Sequence, residues 1–466
     1  TSVMLIPDKN EVNVGIDVLI ERQDQGDATQ VTSPINAANP EGYTVYAAMT
    51  FSKDHILNDA LTAWNRLYYW VSFPFDVKIS DVFGFGEYGK QWIIQYYDGA
   101  ARAKNGYYLE SPTYWRWISD TTYNANADNE DSNGNPSNGV MVANRGYILQ
   151  LAANVASEAT FQNKSEYVRL YFPSMEKIKH IDGNMQEVTS ILDPYICNIS
   201  GREAYDSHWH IIGVPSYANK NVNVTQKDLF FFYEYDASNN TYSPQSSDVS
   251  PAEGDKTFKS MHSYMVQYAG EINWSATTSF EPKQLAARRN ADYEENVYNL
   301  GLQLLQNGQT LDQTFIRMQE DNATADFDMN LDLTKIINAG ANIYSLAGEE
   351  MIELAGNVLP VEDAVVPLGV VCAKAGNYTF SMPAGTADVV VELIDYVENT
   401  CTNLLLSDYV VSIPAGTHKN RFALSVKPSK VVTSVESTTD DAAAGLKKYI
   451  INGQLIIQHD GQLYNS

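Results

Sequence analysis

Residues Lys447–Ser466 read KKYIINGQLIIQHDGQLYNS. Two turn dipeptides, Asn452-Gly453 and Asp460-Gly461, divide the stretch into runs in which apolar and polar residues alternate. Asparagine or aspartate followed by glycine supplies the positive φ of a two-residue hairpin turn, and period-two hydropathy suits a strand with one covered face. The segment therefore predicts consecutive antiparallel strands, with Tyr449 and Tyr464 in the flanking runs. The same pattern recurs up the chain.

Tyr298, Leu300, Leu302 and Leu304 fall on one face of a strand, Asn307-Gly308 reverses the chain, and Phe315–Met318 begins the return. Alternating runs follow at 378–382, 389–394, 409–413 and 422–426, separated by turn clusters such as Ala375-Gly376-Asn377 and Pro414–Thr417. Short strands at this spacing predict a β-sandwich over 283–428. Residues 429–446 are small and polar and read as a linker, with 447–466 as a separate hairpin segment.

The first half of the chain echoes itself. YWVSFPFD at Tyr69–Asp76 matches WHIIGVPSY at Trp209–Tyr217, each an apolar strand stopped by proline, which lacks the N–H a central ladder needs. WIIQYYD at Trp92–Asp98 then matches FFFYEYD at Phe230–Asp236, and RGYILQ at Arg145–Gln150 matches SYMVQ at Ser263–Gln267. Three matched segments in one order predict a duplicated all-β unit, residues 1–155 and 156–282, packed as one body or two. Helix is expected only over Asp54–Tyr68, where Ile56, Leu57, Ala60, Leu61 and Trp64 take helical spacing, and over Ala286–Asn296, which equally suits a charged loop.

Composition bounds the function. The chain has 466 residues, enough for several cores, and thirty tyrosines favour strands over helices. A formal net charge of −26 excludes a phosphate-tracking surface, since the densest basic pairs are only Arg288-Arg289 and Lys447-Lys448. Runs of 18 apolar residues do not occur, so no spanning helix is expected. The start at Thr1 reads as a mature or trimmed form. Cys197, Cys372 and Cys401 fit no metal spacing; reduced, buried thiols are expected, with a Cys372–Cys401 bridge if their strands are neighbours.

Several motifs compete with bland alternatives. Gly84-x-Gly86-x-x-Gly89 has dinucleotide spacing, but a strand pattern, not a helix, follows it, so a glycine-rich β-loop is expected. Asn124–Gly139 mimics half a calcium loop, yet Val140 stands where the bidentate acid belongs; Asp128, Glu130 and Asp131 would chelate calcium weakly or form a solvated loop. His208 and His210 would share a strand face with no third ligand nearby. Tyr114, Trp115 and Trp117 would form a stacking face for sugar rings or else pack on the core, and Tyr233 with Tyr235 is a weaker pair of that kind. The chain contains no G-x-S-x-G, H-E-x-x-H or Walker loop.

The tail, with Tyr449, Asn452, Gly453, Asp460, Gly461 and Tyr464, resembles the C-terminal sorting tail of proteins exported by type IX secretion in Gram-negative bacteria, although members of that group usually run on past the Tyr464-Asn465 position. Over roughly 10–280 the echo resembles the repeated Pro-Phe-Asp and Ile-Gly-x-Pro modules of large secreted proteins with such tails (here Pro74–Asp76 and Ile212–Pro215), and 283–428 resembles the sandwich that precedes them. The resemblance implies a protein at the outer cell surface, peripheral to the membrane through anchoring alone, with the type IX machinery as partner. The expected fold is all-β: several antiparallel β-sandwich-like domains with few short helices. The expected function is non-catalytic, a structural or adhesion module meeting glycan or another surface protein and using no cofactor other than calcium, if any. The alternatives are a glycan-processing enzyme with an acidic pair in the echoed body and a self-assembling polymer subunit.

Overall fold

The structure, a computed structural model, describes residues 298–319, 322–383 and 389–428. It also describes the strands and adjoining turns at 4–5, 14–21, 28–30, 45–52, 67–73, 75–84, 86–97, 115–118, 139–143, 145–151, 167–176, 188–190, 208–213, 222–224, 231–236, 241–246, 262–269, 272–276, 446–451, 454–459 and 462–465. The fold is all-β and mostly antiparallel. The only helical piece among the described residues is a 3₁₀ turn at Ile79–Asp81. Leu67 and Tyr68, the end of the expected helix, lie instead in the strand Leu67–Ser72, because this aromatic run finds a ladder partner in Gly146–Leu151. The rest of Asp54–Tyr68, and Ala286–Asn296, lie outside the described residues.

The echoed segments build two sheets of one design. Leu67–Ser72, Trp92–Tyr97, Trp115–Trp117 and Gly146–Leu151 pair antiparallel in the spatial order first, fourth, second, third. Trp209–Gly213, Phe231–Asp236, Thr241–Ser246 and Ser263–Gln267 repeat that order. The register repeats too. With Pro74 set on Pro215, the pair Tyr68↔Gln150 falls on Trp209↔Gln267, and Gln95↔Ile148 falls on Tyr233↔Met265. By the same rule Trp115, opposite Tyr97, takes the position of Tyr242, opposite Tyr235.

The two sheets meet through reciprocal contacts. Backbone bridges join Val71 to His262 and Arg145 to Ile212. Val71 is the counterpart of Ile212 and His262 of Arg145, so each bridge maps onto the other when the copies are exchanged, as at a twofold interface. Ser72 Oγ donates to the His262 carbonyl at 2.7 Å. The approach is close: a Cβ on Gly146 would lie 2.1 Å from Ile211 Cγ2 and 3.0 Å from the Ile211 carbonyl carbon.

Each sheet then packs on a different layer. The first faces a six-stranded sheet that includes Val14–Glu21, Val45–Ser52 and Tyr167–Pro173. Phe73 and Phe172 meet there with ring centroids 4.7 Å apart, and Trp92 lies edge-on to Phe172. The second faces an 11-stranded sheet whose strands fill residues 298–428. Its hairpin, Tyr298–Gln306 and Gln309–Gln319, turns at Asn307 (φ 53°) and Gly308 (φ 78°), and the faces at Tyr298, Leu300, Leu302 and Leu304 are all buried as expected. The return strand starts at Gln309, six residues before the expected Phe315, because the tight turn pairs Gln306 directly with Gln309.

This large sheet curls until its ends face each other. Phe380 of Gly376–Ser381 lies 4.8 Å from Phe422 of Gly416–Pro428. Arg421 grips Asp395 of the neighbouring strand with Nη2 at 2.9 Å; across the seam it donates Nη1 to the Ser412 carbonyl, and the Tyr409 hydroxyl donates to Asp395. One pair in the sheet is parallel, Gln309–Gln319 with Ile352–Pro360. Trp70, Tyr97 and Ile148 of the first echoed sheet, Trp209, Phe231 and Tyr233 of the second, and Phe315, Leu333 and Val358 of the curled sheet share one hydrophobic cluster.

Residues 429–466 form a separate compact unit. Leu446–Ile451, Gln454–His459 and Gln462–Asn465 make a three-stranded antiparallel meander. Ile451 pairs with Gln454 and His459 with Gln462, so two residues intervene at each reversal, the loop length that Asn-Gly and Asp-Gly predict.

Candidate functional site

The candidate site lies where the second echoed sheet meets the curled sheet. Thr241–Ser246 is the edge strand of the second sheet, and an edge exposes backbone groups that need partners. The curled sheet supplies them from side chains. Asn338 Nδ2 donates to the Tyr242 carbonyl at 3.0 Å, and the Tyr242 amide donates to Asn338 Oδ1 at 2.8 Å. Gln313 Nε2 donates to the Pro244 carbonyl at 2.7 Å. Asn338 is fixed in turn by Asn342, which accepts its amide and donates to its carbonyl.

Beside this seam runs a groove of about 420 Å³. Tyr242 and Ser243 form one wall; Gln303, Gln309 and Thr310 of the hairpin form the other. The Tyr242 ring stands edge-on to Trp70 and Tyr235, with centroids 5.7 and 5.6 Å away. Asp312 lies at the base of the groove, bound to Lys335 Nζ at 2.5 Å and to the Ile343 amide at 2.7 Å. Both side chains are fully buried. Burial pushes the Asp312 carboxyl up and the Lys335 amine down, each opposed by its partner's charge. The pair thus neutralises its own charge, and neutral hydrogen-bonding groups dominate the groove.

The sequence-derived candidates land in different places. Tyr233 is buried: its hydroxyl donates to the Thr334 carbonyl and accepts the Ile336 amide, both at 3.0 Å, so the ring ties the second sheet to the curled one. Tyr235 is half-buried and stacks on Trp70 at 5.5 Å. Trp115 and Trp117 lie on the third strand of the first sheet, opposite Tyr97 and Gln95. Tyr114, the calcium candidates Asp128, Glu130 and Asp131, and the turn residues Asn452, Gly453, Asp460 and Gly461 lie outside the described residues; Tyr449 and Tyr464 lie on the meander's outer strands.

His208 and His210 do not share a strand face. His208 precedes the strand with a left-handed backbone, φ 63°, and His210 is buried, its Nε2 donating to the Tyr268 carbonyl at 3.1 Å. Burial lowers its pKa from 6.5 to about 3 against the effect of that bond, so the ring is neutral. Gly84-x-Gly86-x-x-Gly89 leads into the strand Trp92–Tyr97, as its sequence context predicts. Both described cysteines are free. Cys372 is buried, but Cys401 is exposed, contrary to expectation, because it sits on the edge strand Thr400–Asn403. Cys197 lies outside the described residues. No cluster of three or more His, Cys, Asp or Glu side chains suited to a metal occurs among the described residues.

Asn338, Gln313, Gln303 and Thr310 were not singled out by sequence. The available signal was Asp312 and Lys335, two charged residues inside otherwise β-prone runs, which mark a buried pair. Among the described residues the groove they underlie is lined by amides, hydroxyls and one aromatic ring.

No curated protein and no solved structure matches the chain. A family model described as a domain of unknown function, DUF8693, matches residues 109–426. That span opens before the strand Trp115–Trp117, takes in the whole second echoed sheet and the groove, and ends in the last strand of the curled sheet. The match covers more than half of the sequence, and the chain belongs to the DUF8693 family.

Proposed function

We propose that the chain is a secreted, surface-displayed, non-catalytic protein, a structural and adhesion module that contacts glycan. The observation that carries this reading is the shared core. Two reciprocal sheets and a curled third sheet bury aromatic side chains in one cluster, a joined core suited to presenting outer faces. The net charge of −26 suits a self-repelling exterior.

The meander of residues 446–465 supports the export half of the proposal. It is small, sequence-separate and, among the described residues, has outer strands with one unpaired edge each, the feature by which one chain adds to another through backbone ladders. Deleting Tyr449–Ser466 in a host with type IX secretion is expected to abolish surface display while the truncated chain accumulates inside. Display unchanged by the deletion would contradict the assignment.

A further inference from the structure

We propose that the groove between Thr241–Ser246 and the hairpin of residues 298–319 binds a neutral oligosaccharide. The proposal rests on the glycan-contact reading above and moves the contact away from Trp115 and Trp117.

The first argument concerns the backbone. The amide and carbonyl of Tyr242 are both taken by Asn338, and the Pro244 carbonyl is taken by Gln313. Proline has no N–H to offer. An extended peptide therefore finds no open ladder on this strand, and peptide recognition by strand addition is blocked. A ligand here must be read by side chains.

The second argument is what those side chains are. The side chains of Gln303, Gln309 and Thr310 make no hydrogen bond among the described residues, and Ser243 Oγ accepts one from Gln245 while keeping its own proton to give. Amides and hydroxyls donate and accept alike, which matches a ligand dense in hydroxyl groups. The lining's single carboxylate, Asp312, is spent on Lys335 and the Ile343 amide, so among the described residues the groove holds no free charge for a phosphate or carboxylate ligand.

The third argument is shape. Tyr242 is locked edge-on against Trp70 and Tyr235 and gives a fixed apolar surface at little entropic cost. The volume, about 420 Å³, sits within the range of about 300–1,000 Å³ typical of small-ligand sites.

The test uses the full chain on an array of neutral oligosaccharides (gluco-, xylo-, manno- and N-acetylglucosamine series), acidic glycans and random peptides, followed by calorimetry. We expect at least one neutral oligosaccharide to bind. Gln303→Ala with Thr310→Ala, at non-core positions, should weaken it about tenfold or more without altering the far-UV spectrum. Trp115→Ala with Trp117→Ala should leave it unchanged. Binding only to acidic glycans or only to peptides, no binding at all, or binding that survives the Gln303/Thr310 change would overturn the proposal. Binding lost in the tryptophan variant but kept in the groove variant would defeat the groove and leave the adhesion reading standing. Surface display after tail deletion tests that reading separately.

Discussion

The first echoed sheet packs Phe73 and Trp92 against Phe172 of a neighbouring sheet, whereas its counterpart packs Phe231 and Tyr233 against the curled sheet. Strand order and register are the same in both. These contacts use opposite faces: the face of the first sheet equivalent to that of Phe231 and Tyr233 sends Trp70, Tyr97 and Ile148 into the shared cluster, and two of its positions differ. Ile211 stands where the first sheet has Trp70, and Tyr233 stands where it has Gln95. One ladder thus serves two environments, since backbone pairing sets the frame and face residues choose the neighbour. The second sheet is the joint through which the first and the curled sheet are coupled.

The largest effect should come from within the curled sheet. Lys335→Met leaves Asp312 buried without its cation and should cost about 3–5 kcal/mol in urea unfolding. A loss below 1 kcal/mol would mean the pair is not enclosed.

Next come the two glycines that set the spacing on either side of the joint. Gly146→Ala forces a methyl into Ile211, including its backbone carbon, and should cost about 3 kcal/mol. Gly356→Ala meets the Phe231 ring at 2.3 Å, and a ring can tilt, so about 2 kcal/mol is expected. Equal or reversed costs would show that the echoed sheets are not the tighter contact.

Tyr233→Phe removes one hydroxyl that serves both the Thr334 carbonyl and the Ile336 amide. Those groups would be left without this partner, for a loss of about 1–2 kcal/mol at unchanged m-value. The equivalent residue of the first sheet, Gln95, bridges no such joint among the described residues, and Gln95→Ala should cost less.

The smallest effect is a proton. His210 has a folded pKa of about 3 against 6.5 unfolded, so the unfolded chain binds the extra proton between those values and stability falls as pH drops through that window. Between pH 7 and 5.5 this amounts to about 1 kcal/mol. His210→Gln should remove that increment from the pH profile, measured as the difference between wild-type and variant urea midpoints. An unchanged profile would mean His210 is charged in the fold.

Many strands were legible in the sequence because period-two hydropathy, or a following proline, Asn-Gly or Asp-Gly, marks them. The echo even carried the register, since matched prolines and glutamines fix which residues face each other. The joint was not legible. Tyr233 and Tyr235 read as a ligand-facing pair, but alternation reports only that they share a face, not which layer covers it. The groove was hidden for a similar reason: its walls, Tyr242 and Thr310, belong to different sheets, and no local pattern links them. The parallel pairing of Gln309–Gln319 with Ile352–Pro360 was equally silent, because an apolar alternating strand does not name its neighbour.

The seven tryptophans all precede residue 298, and Trp70, Trp92, Trp115, Trp117 and Trp209 lie in the echoed sheets, so no indole belongs to the curled sheet itself. Gly369 lies in the curled sheet against Tyr344, where a Cβ would come within 2.0 Å of the ring. Urea unfolding of Gly369→Ala, followed by tryptophan fluorescence, therefore asks whether damage in one sheet is felt in the others. If the second echoed sheet couples them through a common core, the fluorescence midpoint will fall together with the far-UV circular dichroism midpoint. A fluorescence midpoint that stays at the wild-type value while the dichroism midpoint falls would show independent domains and contradict the coupling.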